Sequence, residues 1–384
     1  MKAEEVKKQV MSHYTELKGD GSLGKKYPEL DMEDGKKHVL FVQCLLARVG
    51  FYRTYLPYLM LNDSETHSAI IATIQKRDFN KSFEDYEVFL ATDLITWADY
   101  IVFPALLFNC RKMFSSILEV NPSVKFIMDL DSPHFAPNER SEDNTQLIEE
   151  QLLNNLKLTD TISCSSSQLR DVVKAQFEDK FKDQNKRFTC LPTFLVSSYL
   201  LRRSDDIIES SSSIRIGLQE GNFNQKTIDV IAKLALLEKK EITLYVYSYD
   251  KSKFIYPDSI NVVFIKSVKF LDYFTTIEKM NLDFVILLGI NLKYEQEKAI
   301  FQYGELALLS LPILCDVKNQ SRRFIKPNVN GFVISKTESL ESLIQKLFKD
   351  RNLAIKAGKS AQGMALKHLS WNPERASQLV NIYK

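Results

Sequence analysis

Short apolar runs rich in β-branched residues alternate with helix-like segments along this chain, and the alternation stops and restarts at one serine-rich stretch. Before the stop the runs are 38–46 (HVLFVQCLL), 69–75, 100–106, 124–130, 161–166 and 187–193, with helix-like segments at 144–156 and 167–178. After it they are 214–219, 241–249, 260–265, 283–289, 311–316 and 331–334. The helix-like segments there cover 227–239, 271–280, 305–309 and 339–350, and two shorter helices close the chain. Continuous apolar runs of this length suit strands buried on both faces, which is the condition of a parallel sheet flanked by helices. The expected class is therefore α/β. The stop itself, RSDDIIESSSS at 203–213, cannot build a core and reads as a linker. Two α/β domains follow, 1–204 with a helical extension over its first 18 residues and 205–365, with a terminal helix at 366–384. Open parallel sheets bind ligands beyond the carboxyl ends of their strands, and a cleft between two such domains is the usual pocket.

Composition narrows the function classes. A chain of 384 residues with 45% hydrophobic content buries a sizeable core without disulfides or metals. Lys+Arg of 51 against Asp+Glu of 49 leaves a net charge of +2, which argues against a surface built for nucleic acid. The five cysteines are odd in number, far apart and without a CxxC pair, as expected of buried free thiols in a reducing, cytoplasmic compartment with no structural zinc. No run reaches the ~18 apolar residues of a membrane span, and MKAEEVKKQV lacks the apolar core of a signal peptide. Lys7, Lys8, Tyr14, Lys25, Lys26 and Tyr27 could touch an anionic membrane peripherally, or form a solvated helix and loop.

Four segments carry candidate chemistry. In 297–333, Glu297 and Glu305 are separated by seven intervening residues, and Glu305 is read as opening an apolar helix. Leu309-Ser310-Leu311-Pro312, a strand to Asp316 and Asn330-Gly331-Phe332 follow. A carboxylate accepts two hydrogen bonds from the cis-diol of a ribose, which suits Glu305. Alternatively, Glu305 is a helix N-terminal acid favoured by the macrodipole and Glu297 a surface charge. In 214–231 a strand enters a turn with Gly221 and then a helix, whose exposed N–H groups attract phosphate beside Lys226. After the first strand, Gly50 permits close backbone approach, with Tyr52 and Arg53 following. At the end of 124–130 stand Asp131 and His134. Asp131 could take a proton from an acceptor hydroxyl or hold a sugar hydroxyl, or simply cap a turn.

Together these segments resemble the donor-binding half of GT-B glycosyltransferases, in particular glycosyltransferase family 4. That family carries a Glu, seven residues, a second Glu, an apolar helix, a turn with Pro, a strand and a later Asn-Gly-Phe. The stretch 350–371 also resembles the family's helical tail before its final Trp. The likeness covers the chain from the linker onward, and the N-terminal half in outline. It implies two Rossmann-like domains facing across a cleft, with the C-terminal helix packing back on the N-terminal domain and closure about the linker excluding water. It implies a hexosyltransferase-type enzyme that moves a sugar from a nucleotide-diphosphate donor to a hydroxyl of a glycan, lipid or protein, with retention. The implied catalytic residues are Asp131 and Glu297. The implied donor-binding residues are Gly50, Arg53, Gly221, Asn222, Lys226, Glu297 and Glu305, with Glu297 on the donor sugar and Glu305 on the ribose. Asn222 stands where the family has an Arg, so the diphosphate loses a bidentate partner unless Arg53, Arg215 or Arg322 substitutes. No cofactor beyond the nucleotide-sugar substrate is implied. Asp129 and Asp131 could suggest the manganese-binding pair of the other large glycosyltransferase fold, but the rest of the chain does not fit it. GT-B enzymes neutralise the leaving diphosphate with helix N-termini and Lys or Arg. The alternatives are a non-catalytic subunit of this fold or a nucleotide-sugar epimerase on the same scaffold.

Overall fold

The computed structural model describes residues 8, 12, 30, 35–43, 48–73, 90–107, 109–132, 142–181, 184–195, 213–219, 224–247, 254–265, 270–288 and 296–384. The expected helix over 1–18 and the linker over 203–213 lie outside them, apart from Lys8, Ser12 and Ser213. The chain divides into two compact units, one built on Lys8–Phe194 with Trp371–Lys384, the other on Leu195–Ser370.

The first unit contains β1 (Lys37–Gln43), α1 (Leu56–Asn62), β2 (His67–Thr73), α2 (Thr92–Trp97), β3 (Tyr100–Pro104), α3 (Arg111–Val120), β4 (Lys125–Leu130), α4 (Glu142–Lys157), β5 (Thr161–Cys164), α5 (Ser167–Phe177) and β6 (Arg187–Cys190). Its six strands are all parallel, in the order β2-β1-β3-β4-β5-β6. Leu40, Val42, Ile101, Phe103, Phe126, Met128 and Ile162 form one face of the sheet and are buried with side chains of α2 to α5. Helices α2 and α3 were not distinguished in the sequence. From Arg48 into α1 the backbone is helical without a break, through Arg48–Gly50 and a π-helical turn at Phe51–Tyr55.

The second unit contains β7 (Ile214–Gln219), α6 (Gln225–Leu237), β8 (Ile242–Tyr247), β9 (Asn261–Ile265), α7 (Phe270–Met280), β10 (Phe284–Leu287), α8 (Gln296–Leu308), β11 (Ile313–Asp316), β12 (Phe332–Ile334), α9 (Leu340–Lys349) and α10 (Arg351–His368). Its parallel strands run in the order β12-β11-β10-β7-β8-β9. Ile216, Leu218, Leu244, Val246, Phe284 and Ile286 point to one face, where Ile228, Ile231, Leu343, Leu347 and Ala354 cover them. The stripe Leu343, Ile344, Leu347, Phe348 shows why α9 forms: its apolar positions recur at helical spacing behind a Ser339 cap that accepts from Ser342 N–H at 3.1 Å. The last helix, α11 (Pro373–Ile382), starts at an Asn372 cap and groups with the first unit.

Two expectations need correction. Helix α8 starts at Gln296, not at Glu305. Glu305 thus lies in its last turn, where the macrodipole gives an acid no support. Helix α10 has 18 residues against ten in α9, so the closing helices are not both short.

Candidate functional site

In both sheets the strand order reverses at one place, between β1 and β3 in the first unit and between β7 and β10 in the second. At such a switch point the neighbouring strands send their connections to opposite sides, leaving a crevice beyond their carboxyl ends.

At the second unit's switch point, β7 runs toward the amino end of α6. Asn224 caps that helix, its Oδ1 accepting from Thr227 N–H at 3.1 Å. Lys226, the second helical residue, is exposed. The remaining amino-terminal N–H groups and the lysine give this end a positive character suited to an anion. Gly221 and Asn222 lie outside the described residues. Glu297 is the second residue of α8, and its side chain is likewise outside them. Glu305 follows on the same helix. Eight residues place the two about 80° apart around the axis and about 12 Å apart along it. Glu305 is 1% exposed.

The turns around Glu305 are held by a clasp that the sequence marked only in part. Asn330 donates from Nδ2 to the Tyr303 hydroxyl at 2.9 Å and to the Phe324 carbonyl at 3.0 Å, and its Oδ1 accepts from Lys326 N–H at 2.6 Å. Tyr303, fully buried on α8, stacks on Phe324 with centroids 5.4 Å apart. Gly331 packs closely here, since a Cβ would lie 3.0 Å from the Ile313 carbonyl oxygen. The Asn-Gly-Phe motif therefore ties the segment after β11 to α8. Tyr303 and Phe324 were missed, because a tyrosine in an apolar helix has no distinguishing pattern. Of the arginines considered as substitutes at Asn222, Arg215 lies within β7 and Arg322 donates to the Ile325 carbonyl at 2.8 Å.

A cavity of about 60 Å³ lies within this unit, lined by Gly217, Tyr247, Tyr273, Ile277, Val285 and Leu306. Its volume is far below the roughly 300–1,000 Å³ of a ligand pocket, so a nucleotide does not fit there.

In the first unit, Gly50 is buried and helical, with φ −60° and ψ −35°, rather than part of an open glycine turn. Arg53 is 5% exposed. Its Nε donates to Asp129 Oδ2 at 2.8 Å and a second nitrogen donates to Oδ1, a bidentate pair inside the fold. The third nitrogen donates to the Leu191 carbonyl, with Thr193 Oγ1 at 3.5 Å. Asp131 follows the end of β4 and is half-buried, and its carbonyl accepts from the Ser165 hydroxyl at 3.1 Å. Asp129 and Asp131 thus differ in setting, one inside the strand and ion-paired, the other past the strand end. His134 lies outside the described residues. Among the described residues no group of three or more His, Cys, Asp or Glu is placed to hold a metal ion, and no helix is long and apolar enough to cross a membrane.

No protein-family model matches the chain, and no curated protein matches it. Solved structures do. An α-glucosyltransferase in complex with UDP and a 13-mer DNA superposes with a TM-score of 0.58 at 13% identity, over 90% of this chain and 98% of that one. Sucrose-phosphate synthase from Thermosynechococcus elongatus gives 0.53 at 10% identity, over 91% and 98%. HepE from Anabaena, in complex with UDP-glucose, gives 0.51 at 12% identity, over 90% and 98%. The chain has the GT-B fold. Near-complete coverage in both directions means that the GT-B architecture accounts for both units, including the N-terminal half where the sequence likeness is only an outline.

Proposed function

We propose that the chain is a glycosyltransferase, moving a hexose from a nucleotide-diphosphate donor to a hydroxyl of a glycan, lipid or protein with retention at the anomeric carbon. The observation that carries this reading is the anion-suited amino end of α6 at the switch point, with Lys226 exposed beside it. The diphosphate rests there beside Gly221 and Asn222, and its leaving charge is taken by helix N–H groups and Lys226 rather than by a metal. Glu297 holds donor-sugar hydroxyls and Glu305 the ribose, the latter after its enclosed carboxylate turns outward. In the N-terminal acceptor domain Asp131 meets the acceptor hydroxyl or a sugar hydroxyl. Arg53 is a positioning residue, since its guanidinium is engaged by Asp129 and Leu191. The three similar structures support the reading through their fold, and two of them were solved with UDP or UDP-glucose.

The enclosure of Glu305 favours one other reading, a subunit of this fold without catalysis. Thermal shift with UDP, GDP, ADP and their sugar conjugates is the first test. Ligand at 100 times its Kd stabilises by about 2.7 kcal/mol. No shift with any nucleotide would remove the donor site altogether. Binding without donor turnover would select the non-catalytic reading. Where slow donor hydrolysis is seen, its loss in Glu297→Ala supports the sugar contact, and unchanged hydrolysis makes Glu297 a surface charge.

A further inference from the structure

Two cysteines of the first unit have no part in the proposed transfer. Cys164 ends β5, Cys190 ends β6, and the two are register partners on adjacent parallel strands. Direct partners in a ladder point to the same face of the sheet. Neighbouring strands run about 4.8 Å apart, and a disulfide asks for Cα atoms about 4.4–6.8 Å apart. The backbone therefore already holds the pair at bridging distance, and both are free thiols in this structure.

Their surroundings differ in a way that assigns roles. Cys164 is fully buried, within the cluster that includes Leu130, Leu169 and Val173, and burial holds its thiol protonated. Cys190 is half-buried, and the Arg375 guanidinium on α11 lies within electrostatic reach of it, while Arg170 on α5 is within reach of both sulfurs. A partly exposed sulfur in a positive field is the reactive kind. We propose that Cys164 and Cys190 form a reversible redox pair, in which a hydroperoxide oxidises Cys190 and Cys164 resolves it into a cross-strand disulfide.

The steps balance. The Cys190 thiolate attacks a peroxide oxygen, the O–O bond breaks, and sulfenic acid forms with release of hydroxide from hydrogen peroxide. The Cys164 sulfur then attacks the Cys190 sulfur, the S–O bond breaks, and the departing hydroxide leaves with the Cys164 proton as water. Two thiols lose two electrons and the peroxide gains them. A dithiol reverses the bridge by exchange. The residue after Cys190 is Leu191, whose carbonyl accepts from Arg53, so the oxidised sulfur adjoins the segment that fixes Arg53. This pair stands independently of the glycosyltransferase reading.

The test is hydrogen peroxide on the folded full-length chain, followed by alkylation, trypsin and mass spectrometry. The expected result is a loss of two hydrogens, with peptide 158–170 linked to peptide 188–202 and both recovered free after dithiothreitol. Cys164→Ser should leave Cys190 as a sulfenic acid that dimedone traps. Cys190→Ser should leave Cys164 alkylatable on unfolding after the same dose. The proposal is overturned if wild-type Cys190 goes to sulfinic acid, or stays reduced, while Cys164 remains a free thiol. A link from either to Cys44, Cys110 or Cys315 overturns it equally.

Discussion

Asp129 and Arg53 are 76 residues apart and nine-tenths buried, and each charge helps to hold the other inside the fold. Removing one partner of such a pair leaves an uncompensated charge at a cost of about 3–5 kcal/mol. Asp129→Asn should therefore lower the urea midpoint sharply, and a midpoint within error of wild type would show that Arg53 has another strong partner. No local signal announces a pair at that separation. The sequence presented Arg53 as a phosphate ligand and Asp129 as half of an acidic doublet, because each was read beside its neighbours only. His67 gives the pH test at this scale. It is 3% exposed, and burial pushes its pKa down, against a smaller opposite pull from the Tyr383 backbone. The folded state thus prefers the neutral ring. Its contribution to stability is full above the unfolded value near 6.5 and is lost as pH falls through the lowered folded value. Urea midpoints measured across that range should decline toward acid in wild type and decline less in His67→Phe. Equal slopes would leave the acid response to other groups.

At the scale of elements, the strands were the legible part. Each apolar run became a strand within a few residues, because strands buried on both faces need unbroken apolar sequence. Helices were less legible where their solvent side is charged. The amino-terminal half of α8 reads QEKAIF, and its charges disguised the helical period, so its start was placed nine residues late. That displacement matters for the site, since it moves Glu305 from a favourable helix start to a buried position near the end. The placing of α10 yields a prediction of its own. Gly358 on α10 faces the turn before β11, where Ser310 takes a φ of +57°, and a Cβ at Gly358 would lie 2.0 Å from the Ser310 carbonyl oxygen. Backbone cannot retreat as a side-chain tip can. Gly358→Ala gains about 1 kcal/mol of helix propensity, yet the overlap should exceed it, with a net loss of roughly 1–3 kcal/mol as in overpacked cores. Calorimetry showing a stabilised Gly358→Ala would mean that α10 does not press on that turn.

For the whole molecule, the last helix returns to the first unit, although 176 residues of the other unit separate it from the rest of that core. Helix α11 is held at its carboxyl end by Arg187 of β6, which donates to the Asn381 carbonyl at 2.6 Å and to that of Ile382 at 3.2 Å. Tyr383 is buried beyond it, with edge contacts to Phe41 at 6.3 Å, His67 at 6.1 Å and Tyr100 at 5.7 Å. The sequence allowed a returning helix only through a family likeness, since nothing in PERASQLVNI says which core it covers. Truncating a buried aromatic of this size costs about 3–5 kcal/mol. Because these three ring contacts fall on the first sheet, Tyr383→Ala should loosen that unit and spare the other. Hydrogen exchange should rise in peptides from 37–73 and 100–130 while peptides from 214–247 and 284–316 keep their protection. If the donor site lies at the amino end of α6, UDP should still protect 224–237 in the same variant, and Lys226→Ala should abolish that protection without loosening either core. A rise in exchange shared by both units, or UDP protection confined to the first, would contradict this division of structure and binding between the two sheets.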